Sequence, residues 1–126
     1  MSEQKSCECG QAPKLIFACS GAADVGGLAD QVARKMTRDG LGKMFCMAGI
    51  GGRVEGILNT TRGAAKILAI DGCPINCTKK CLEEAGFAEF EHLQLADLGM
   101  VKGQTEICER TIDQAAAAGA ALIAAG

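Results

Sequence analysis

The stretch KILAIDGCPINCTKKC, residues 66–81, decides the fold class of this chain. It opens with the apolar run KILAI, which is typical of a strand buried on both faces of a parallel sheet. An Asp-Gly turn follows, and Pro74 suits the first position of a helix, because the N–H that proline lacks has no partner there. Gly86 suits the end of that helix. The stretch therefore predicts a strand that runs directly into a helix.

The same order of apolar run, turn and helical period recurs along the chain. Further strands are predicted in LIFAC (15–19), in KMFCMA (43–48) and, more weakly, in FEHLQLA (90–96). Strands that alternate with helices indicate a parallel sheet covered on both faces. We expect a single α/β domain, three-layered and Rossmann-like, with a mostly parallel sheet of about four strands.

The helices are predicted from apolar residues at three- and four-residue steps. The first carries Val25, Leu28, Val32 and Met36 and can end at Gly40. A short helix after GIGG carries Val54, Ile57 and Leu58. A last helix from Thr105 onward would pack through Cys108, Thr111, Ile112, Ala115 and Leu122. On its packed face Gly119 would allow a neighbouring element to approach closely.

Composition narrows the class of protein. At 126 residues and 48% hydrophobic content, the chain suits one domain, which we place at 14–126, after an N-terminal Cys-x-Cys arm at 1–13. Lys and Arg number 13 against 15 acidic residues, which argues against a nucleic-acid partner. The apolar C-terminal stretch is too short and too weakly hydrophobic for a membrane span. We expect a cytoplasmic protein, and its oligomeric state is not predicted.

Eight cysteines in a cytoplasmic chain favour metal binding or thiol chemistry over disulfide bonds. Cys19 ends the first predicted strand, Cys46 lies near the end of the second, and Cys73 follows the third. The carboxyl ends of parallel strands meet at one edge of a sheet. We therefore expect these three thiols, distant in sequence, to lie near one another.

Cys73, Cys77 and Cys81 are spaced four residues apart, which places them on one face of a helix. Neighbouring thiols of this row can reach one metal ion. Cys73 and Cys81 would lie about 12 Å apart along the helix axis and cannot both do so. We assign Cys73 and Cys77 to the site and expect Cys81 to be buried or peripheral.

The predicted metal ligands are thus Cys19, Cys46, Cys73 and Cys77. Four thiolates are the ligand number and type that zinc takes in closed sites. Positive helix ends would lower the pKa of these thiols, with helices starting near Asp24, Arg53 and Pro74. Asp71 is a candidate hydrogen-bond acceptor behind the ligands, although an Asp before Gly is often only turn chemistry.

The remaining thiols and the single histidine have weaker assignments. Cys7 and Cys9 could fold over the site as extra ligands or hang free in the N-terminal arm, and we favour a secondary or regulatory role for them. Cys108 is interpreted as a packing residue of the last helix. His92 falls in a strand pattern and is interpreted as a strand residue rather than a ligand.

Several catalytic motifs fail at their key residues. GAADVGGL (21–28) has the glycine spacing of a P-loop but lacks its Lys and Ser/Thr. GIGGRV (49–54) has Val54 where the dinucleotide motif needs a third glycine. The chain also has no C-x-x-C, so thioredoxin-type redox chemistry lacks its usual geometry.

The chain resembles the DGC family, named after the motif present here as Asp71-Gly72-Cys73. The likeness runs through CECG, FACSGAADVGG (17–27), MFCMAGIGG (44–52), IDGCPINC (70–77) and DLGMVKG (97–103). The resemblance implies zinc binding through four cysteines, matched by Cys19, Cys46, Cys73 and Cys77. It implies no particular reaction.

Three functional classes remain open from the residues. The first is a metal-binding module that stores, senses or delivers zinc or another soft metal; a closed four-thiolate site favours it. The second is a thiol-based enzyme in redox, sulfur-transfer or metalloid handling, with a small anionic ligand held by the Gly-rich loops and helix N-termini. The third is an iron–sulfur protein, because four cysteines also hold such clusters.

Overall fold

In the computed structural model, which describes residues 12–124, the chain folds as alternating strands and helices. The strands are β1 (Lys14–Ala18), β2 (Lys43–Met44), β3 (Lys66–Asp71) and β4 (Glu91–Gln94). The helices are α1 (Asp24–Arg38), α2 (Met47–Gly51), α3 (Glu55–Arg62), α4 (Cys77–Glu84) and α5 (Glu109–Ala124). A 3₁₀ turn, Leu95–Leu98, follows β4.

The strands form one sheet in the order β2-β1-β3-β4, and every pair in it is parallel. In the central pair, Ile16 lies opposite Leu68. In the pair formed by β3 and β4, Ile70 lies opposite Leu93. The predicted α/β fold with a parallel four-stranded sheet is confirmed.

Apolar side chains from β3 divide between the two faces of the sheet. Leu68 and Ile70 point into a core shared with α1 and α5, whereas Ile67 and Ala69 point into a core shared with α2, α3 and α4. All four residues are buried. The continuous apolar run KILAI is thus explained by helices on both faces, which gives the three-layer arrangement.

The second strand is shorter than predicted. KMFCMA was expected to be a strand as a whole, but β2 covers only Lys43–Met44, and Met47–Gly51 forms the one-turn helix α2. Cys46 is the residue that precedes this helix, with extended φ and ψ of −87° and 103°. The continuous apolar run indicated a strand, because so short a helix has too few residues to display a helical period.

The helix α4 starts later than predicted. Asn76 precedes it with a left-handed φ of 60°, so the helix begins at Cys77, and Pro74 lies in the turn before it. Cys73 and Cys77 are therefore not on one helical face, and that part of the prediction was wrong. The predicted stop is confirmed, since Gly86 has a positive φ of 96° just after the last helical residues.

The first helix agrees with its prediction. Val25, Leu28, Val32 and Met36 are fully buried, and Gly40 has a positive φ of 79° just beyond the helix end. In the short helix α3 the prediction holds for Leu58, which is buried, but not for Val54, which precedes the helix and is 51% exposed.

The last helix begins at Glu109, so Cys108 precedes it rather than lying within it. Thr111, Ala115, Gly119 and Ile123 are buried on its inner face. A Cβ atom on Gly119 would stand 2.8 Å from the sulfur of Met36. The predicted close approach at Gly119 is thus confirmed, and its partner is α1.

Two sequence-based expectations concern the ends of the chain. Cys7 and Cys9 lie outside the described residues. Between residues 12 and 124, no helix has the length and apolar character needed to cross a bilayer.

Candidate metal and thiol site

The carboxyl edge of the sheet carries cysteines from three successive strands. Cys19 directly follows β1, and its N–H donates a hydrogen bond of 3.1 Å to the carbonyl of Ile70 in β3. Cys46 lies two residues beyond β2, and Cys73 two residues beyond β3. Since these strands are parallel, all three cysteines lie at the same edge.

Two of the predicted ligands share an open cleft with a thiol that sequence reasoning set aside. The cleft has a volume of about 980 Å³, and Cys19, Cys46 and Cys81 are among its lining residues. Cys81 is half-buried and projects toward the α2 backbone, where a Cβ on Gly51 would be 3.8 Å from its sulfur. Cys73 and Cys77 are not among the residues that line this cleft.

The thiol of Cys77, the first residue of α4, has a raised pKa. Although the residue is exposed, desolvation of its thiol raises the pKa of Cys77, and the charge of Asp71 raises it further. Smaller contributions to this pKa come from negative charge on Cys19, Cys73 and Cys81. This pKa is therefore shifted upward, opposite to the direction that a helix N-terminus predicted.

The arrangement in this structure is not a closed coordination shell. Among residues 12–124, no three His, Cys, Asp or Glu side chains are grouped as a metal ion requires. The donor set nevertheless fits a soft metal in chemistry, because thiolate sulfur is the ligand that zinc and similar ions prefer. Cys46 and Cys77 are both exposed, so their side chains can rotate without breaking core packing.

Asp71 of the Asp-Gly-Cys motif is a buried carboxylate that caps α4. It is 1% exposed and accepts hydrogen bonds from the N–H groups of Thr78 (2.7 Å) and Lys79 (3.1 Å). Its second oxygen also lies 2.8 Å from Nε2 of His92 in β4. His92 is therefore a strand residue, as predicted, and its partner is a carboxylate.

Gly72 allows two backbone segments to meet below the thiols. A Cβ at this position would lie 2.6 Å from the carbonyl carbon and oxygen of Val25, in the first turn of α1. A real Cβ does not approach backbone atoms so closely, so the β3 to α4 connection can pass α1 only with glycine here.

Gln94, at the end of β4, was missed by sequence reasoning. Its side-chain amide donates to the carbonyl of Cys73 at 2.8 Å and also to the side chain of Asn76. Its own carbonyl accepts from the N–H of Ala96 at 3.1 Å. Gln94 thus fixes the turn that carries Cys73. A single Gln at a strand end has no spacing that would have identified it.

Cys108 has a separate environment at the start of α5. A hydrogen bond from the N–H of Thr111 lowers the pKa of Cys108, and contacts with the Thr111 hydroxyl and the Arg110 N–H lower it further. In return, the Thr111 hydroxyl accepts the N–H of Cys108 at 3.1 Å. Cys108 is half-buried, but its role is that of a helix-capping residue rather than a packing residue.

Comparison with known proteins agrees with the motif. The DGC domain family matches residues 15–119. A relative from Pseudomonas aeruginosa strain PAO1, the anaerobic and virulence modulator AnvM, is 40% identical over 95 residues, which cover 75% of this chain and 72% of that protein. No solved structure matches the chain. The family match and this identity together show that the chain belongs to the DGC family.

Proposed function

We propose that this protein binds a soft metal ion, with zinc as the first candidate, through Cys19, Cys46, Cys73 and Cys77. The observation that carries the proposal is the position of cysteines just beyond the ends of β1, β2 and β3, at one edge of a parallel sheet. The fourth thiol, Cys77, begins α4 at the end of the turn that contains Cys73, and charge on Cys19 and Cys73 contributes to its raised pKa.

The buried frame beneath the thiols supports a binding role. Asp71 holds the start of α4, and Gln94 holds the turn of Cys73, so two of the ligands are attached to fixed backbone. Such outer contacts orient metal ligands and reduce the entropy lost on binding. Rotation of the exposed side chains of Cys46 and Cys77 would then complete the coordination shell of the metal ion.

A closed shell of four thiolates leaves no coordination position for a substrate. The bound ion would therefore hold the edge of the sheet together, or be stored, sensed or delivered, rather than act on a substrate. The relative AnvM is named a modulator, and we extend to this chain only that kind of role.

A thiol-based enzyme is the second candidate, and one observation favours it. The cleft lined by Cys19, Cys46 and Cys81 is open and large enough for a small organic molecule. Redox, sulfur-transfer or metalloid chemistry would need such access to a thiol.

Anaerobic purification of the full chain, followed by elemental analysis, a visible spectrum and thiol titration, tests the proposal. We expect about one equivalent of zinc, no colour and four thiols protected from reagent. A colourless, metal-free protein with one unusually reactive thiol would contradict the zinc proposal and favour a thiol-based enzyme. A coloured protein that contains iron and sulfide would instead favour an iron–sulfur centre.

A further inference from the structure

The last turns of α1 line one side of the cleft. Arg34 and Arg38, one helical turn apart, both line the cleft. Asp30, one turn before Arg34, lines it as well. A metal site made of thiolates does not account for two guanidinium groups in this position.

Asp30 neutralises only part of this positive charge. Its carboxylate accepts one hydrogen bond from Nε of Arg34 at 2.7 Å and another from the hydroxyl of Ser20 at 2.8 Å. The bond from Arg34 lowers the pKa of Asp30 and keeps it ionised. Within residues 12–124, Arg38 takes part in none of the ion pairs. The three groups leave a net charge of one positive unit.

Much of the remaining lining of the cleft is apolar. Met44, Phe45 and Met47 line it together with Ala18 and Ala48. Methionine side chains are flexible and polarizable, so they adapt to apolar groups of different shape. At about 980 Å³, the cleft is far larger than an inorganic anion and lies within the range of organic ligand sites, roughly 300–1,000 Å³.

We propose that the cleft binds a small organic acid, with its oxyanion head at Arg34 and Arg38 and its apolar body against Met44, Phe45 and Met47. The planar guanidinium fork matches the oxygens of a carboxylate or phosphate in a bidentate arrangement. The inference goes beyond the metal site and does not depend on which metal binds.

Isothermal titration of the full chain with benzoate, phenyl phosphate and inorganic phosphate tests the proposal. We expect saturable binding of at least one organic anion, and the comparison of benzoate with phenyl phosphate identifies the head group. Arg38→Gln should weaken that binding by about tenfold or more, because it removes a charged hydrogen-bond donor. Met47→Ala should weaken the binding of phenyl phosphate and leave the binding of inorganic phosphate unchanged.

The matched control is Arg62→Gln, an exposed arginine on α3 that pairs with Glu55 away from the cleft. It should bind as the wild type does. If Arg38→Gln disturbs folding, Arg38→Lys keeps the charge, loses the fork and should still weaken binding.

Two results would overturn the inference. One is the lack of saturable binding of both organic anions; the other is equal affinity in the wild type and Arg38→Gln. Zinc content is measured on the same samples, so that a failure of anion binding can be distinguished from a failure of the metal proposal. Neither Arg38 nor Met47 is a proposed metal ligand.

Discussion

The carboxylate of Asp71 accepts the N–H of Thr78 at 2.7 Å, so a residue at the end of β3 caps a helix that starts six residues later. The usual capping residue, here Asn76, makes no side-chain cap hydrogen bond. Asp71 takes over this function from the strand. The Asp of the motif thereby joins sheet and helix directly beneath the proposed ligands.

Replacing Asp71 by Asn should destabilise the protein by about 1–3 kcal/mol, since one buried oxygen acceptor becomes a donor that faces N–H groups. Urea unfolding measures the change. Asp113→Asn is the control, because its contact with Lys35 is an exposed ion pair at 3.7 Å and should contribute less than about 1 kcal/mol. Equal losses in both variants would contradict the capping role.

Gly72→Ala should be among the most destabilising single changes in the chain. Its Cβ would stand 2.6 Å from the Val25 backbone, which cannot move without displacing α1, so we expect a loss near the upper end of about 1–3 kcal/mol. Gly56→Ala, where no atom lies within 4 Å, should instead be neutral or stabilising by up to about 1 kcal/mol. Thermal unfolding of both variants tests the contrast.

Serine substitutions separate the proposed ligands from other thiols. Cys73→Ser and Cys77→Ser should each lose most of about one equivalent of zinc, because serine is a poor ligand for a soft ion. Cys108→Ser should retain it. Elemental analysis of dialysed protein gives the result, and urea unfolding shows that each variant is folded.

Cys81→Ser is the sharper test, because Cys81 shares the cleft with Cys19 and Cys46. Under our assignment this variant keeps its zinc. Loss of zinc in Cys81→Ser, together with full zinc in Cys73→Ser, would mean that the metal binds in the cleft. That result would refute the proposed set of ligands.

Cys108 should react with iodoacetamide at lower pH than Cys77. Hydrogen bonding from Thr111 lowers the pKa of Cys108, so its thiolate predominates from a lower pH upward, whereas burial and Asp71 raise the pKa of Cys77. Alkylation of metal-free protein, followed by peptide mass spectrometry across pH, gives both midpoints.

Thr111→Val is the matched variant, because it removes the hydroxyl and keeps the backbone N–H. It should move the Cys108 midpoint part of the way upward and leave that of Cys77 unchanged. A Cys108 midpoint at or above that of Cys77 in the wild type would refute the assignment.

The sequence by itself determined the parallel α/β fold and the edge where cysteines gather. Apolar runs such as KILAI and the helical period of Val25, Leu28 and Val32 arise from burial, which acts through patterns of nearby residues. Once the strands are parallel, the position of Cys19 and Cys73 at one edge follows from topology alone.

Only the tertiary structure decided the start of α4, the cap by Asp71 and the place of Cys81 in the cleft. A helical start at Pro74 was a sound local prediction. The helix starts at Cys77 instead, because Asp71, Gln94 and the close contact of Gly72 with α1 hold the turn before it in another conformation. Such contacts join residues from different elements, and their energy depends on distances that no local pattern of residues records.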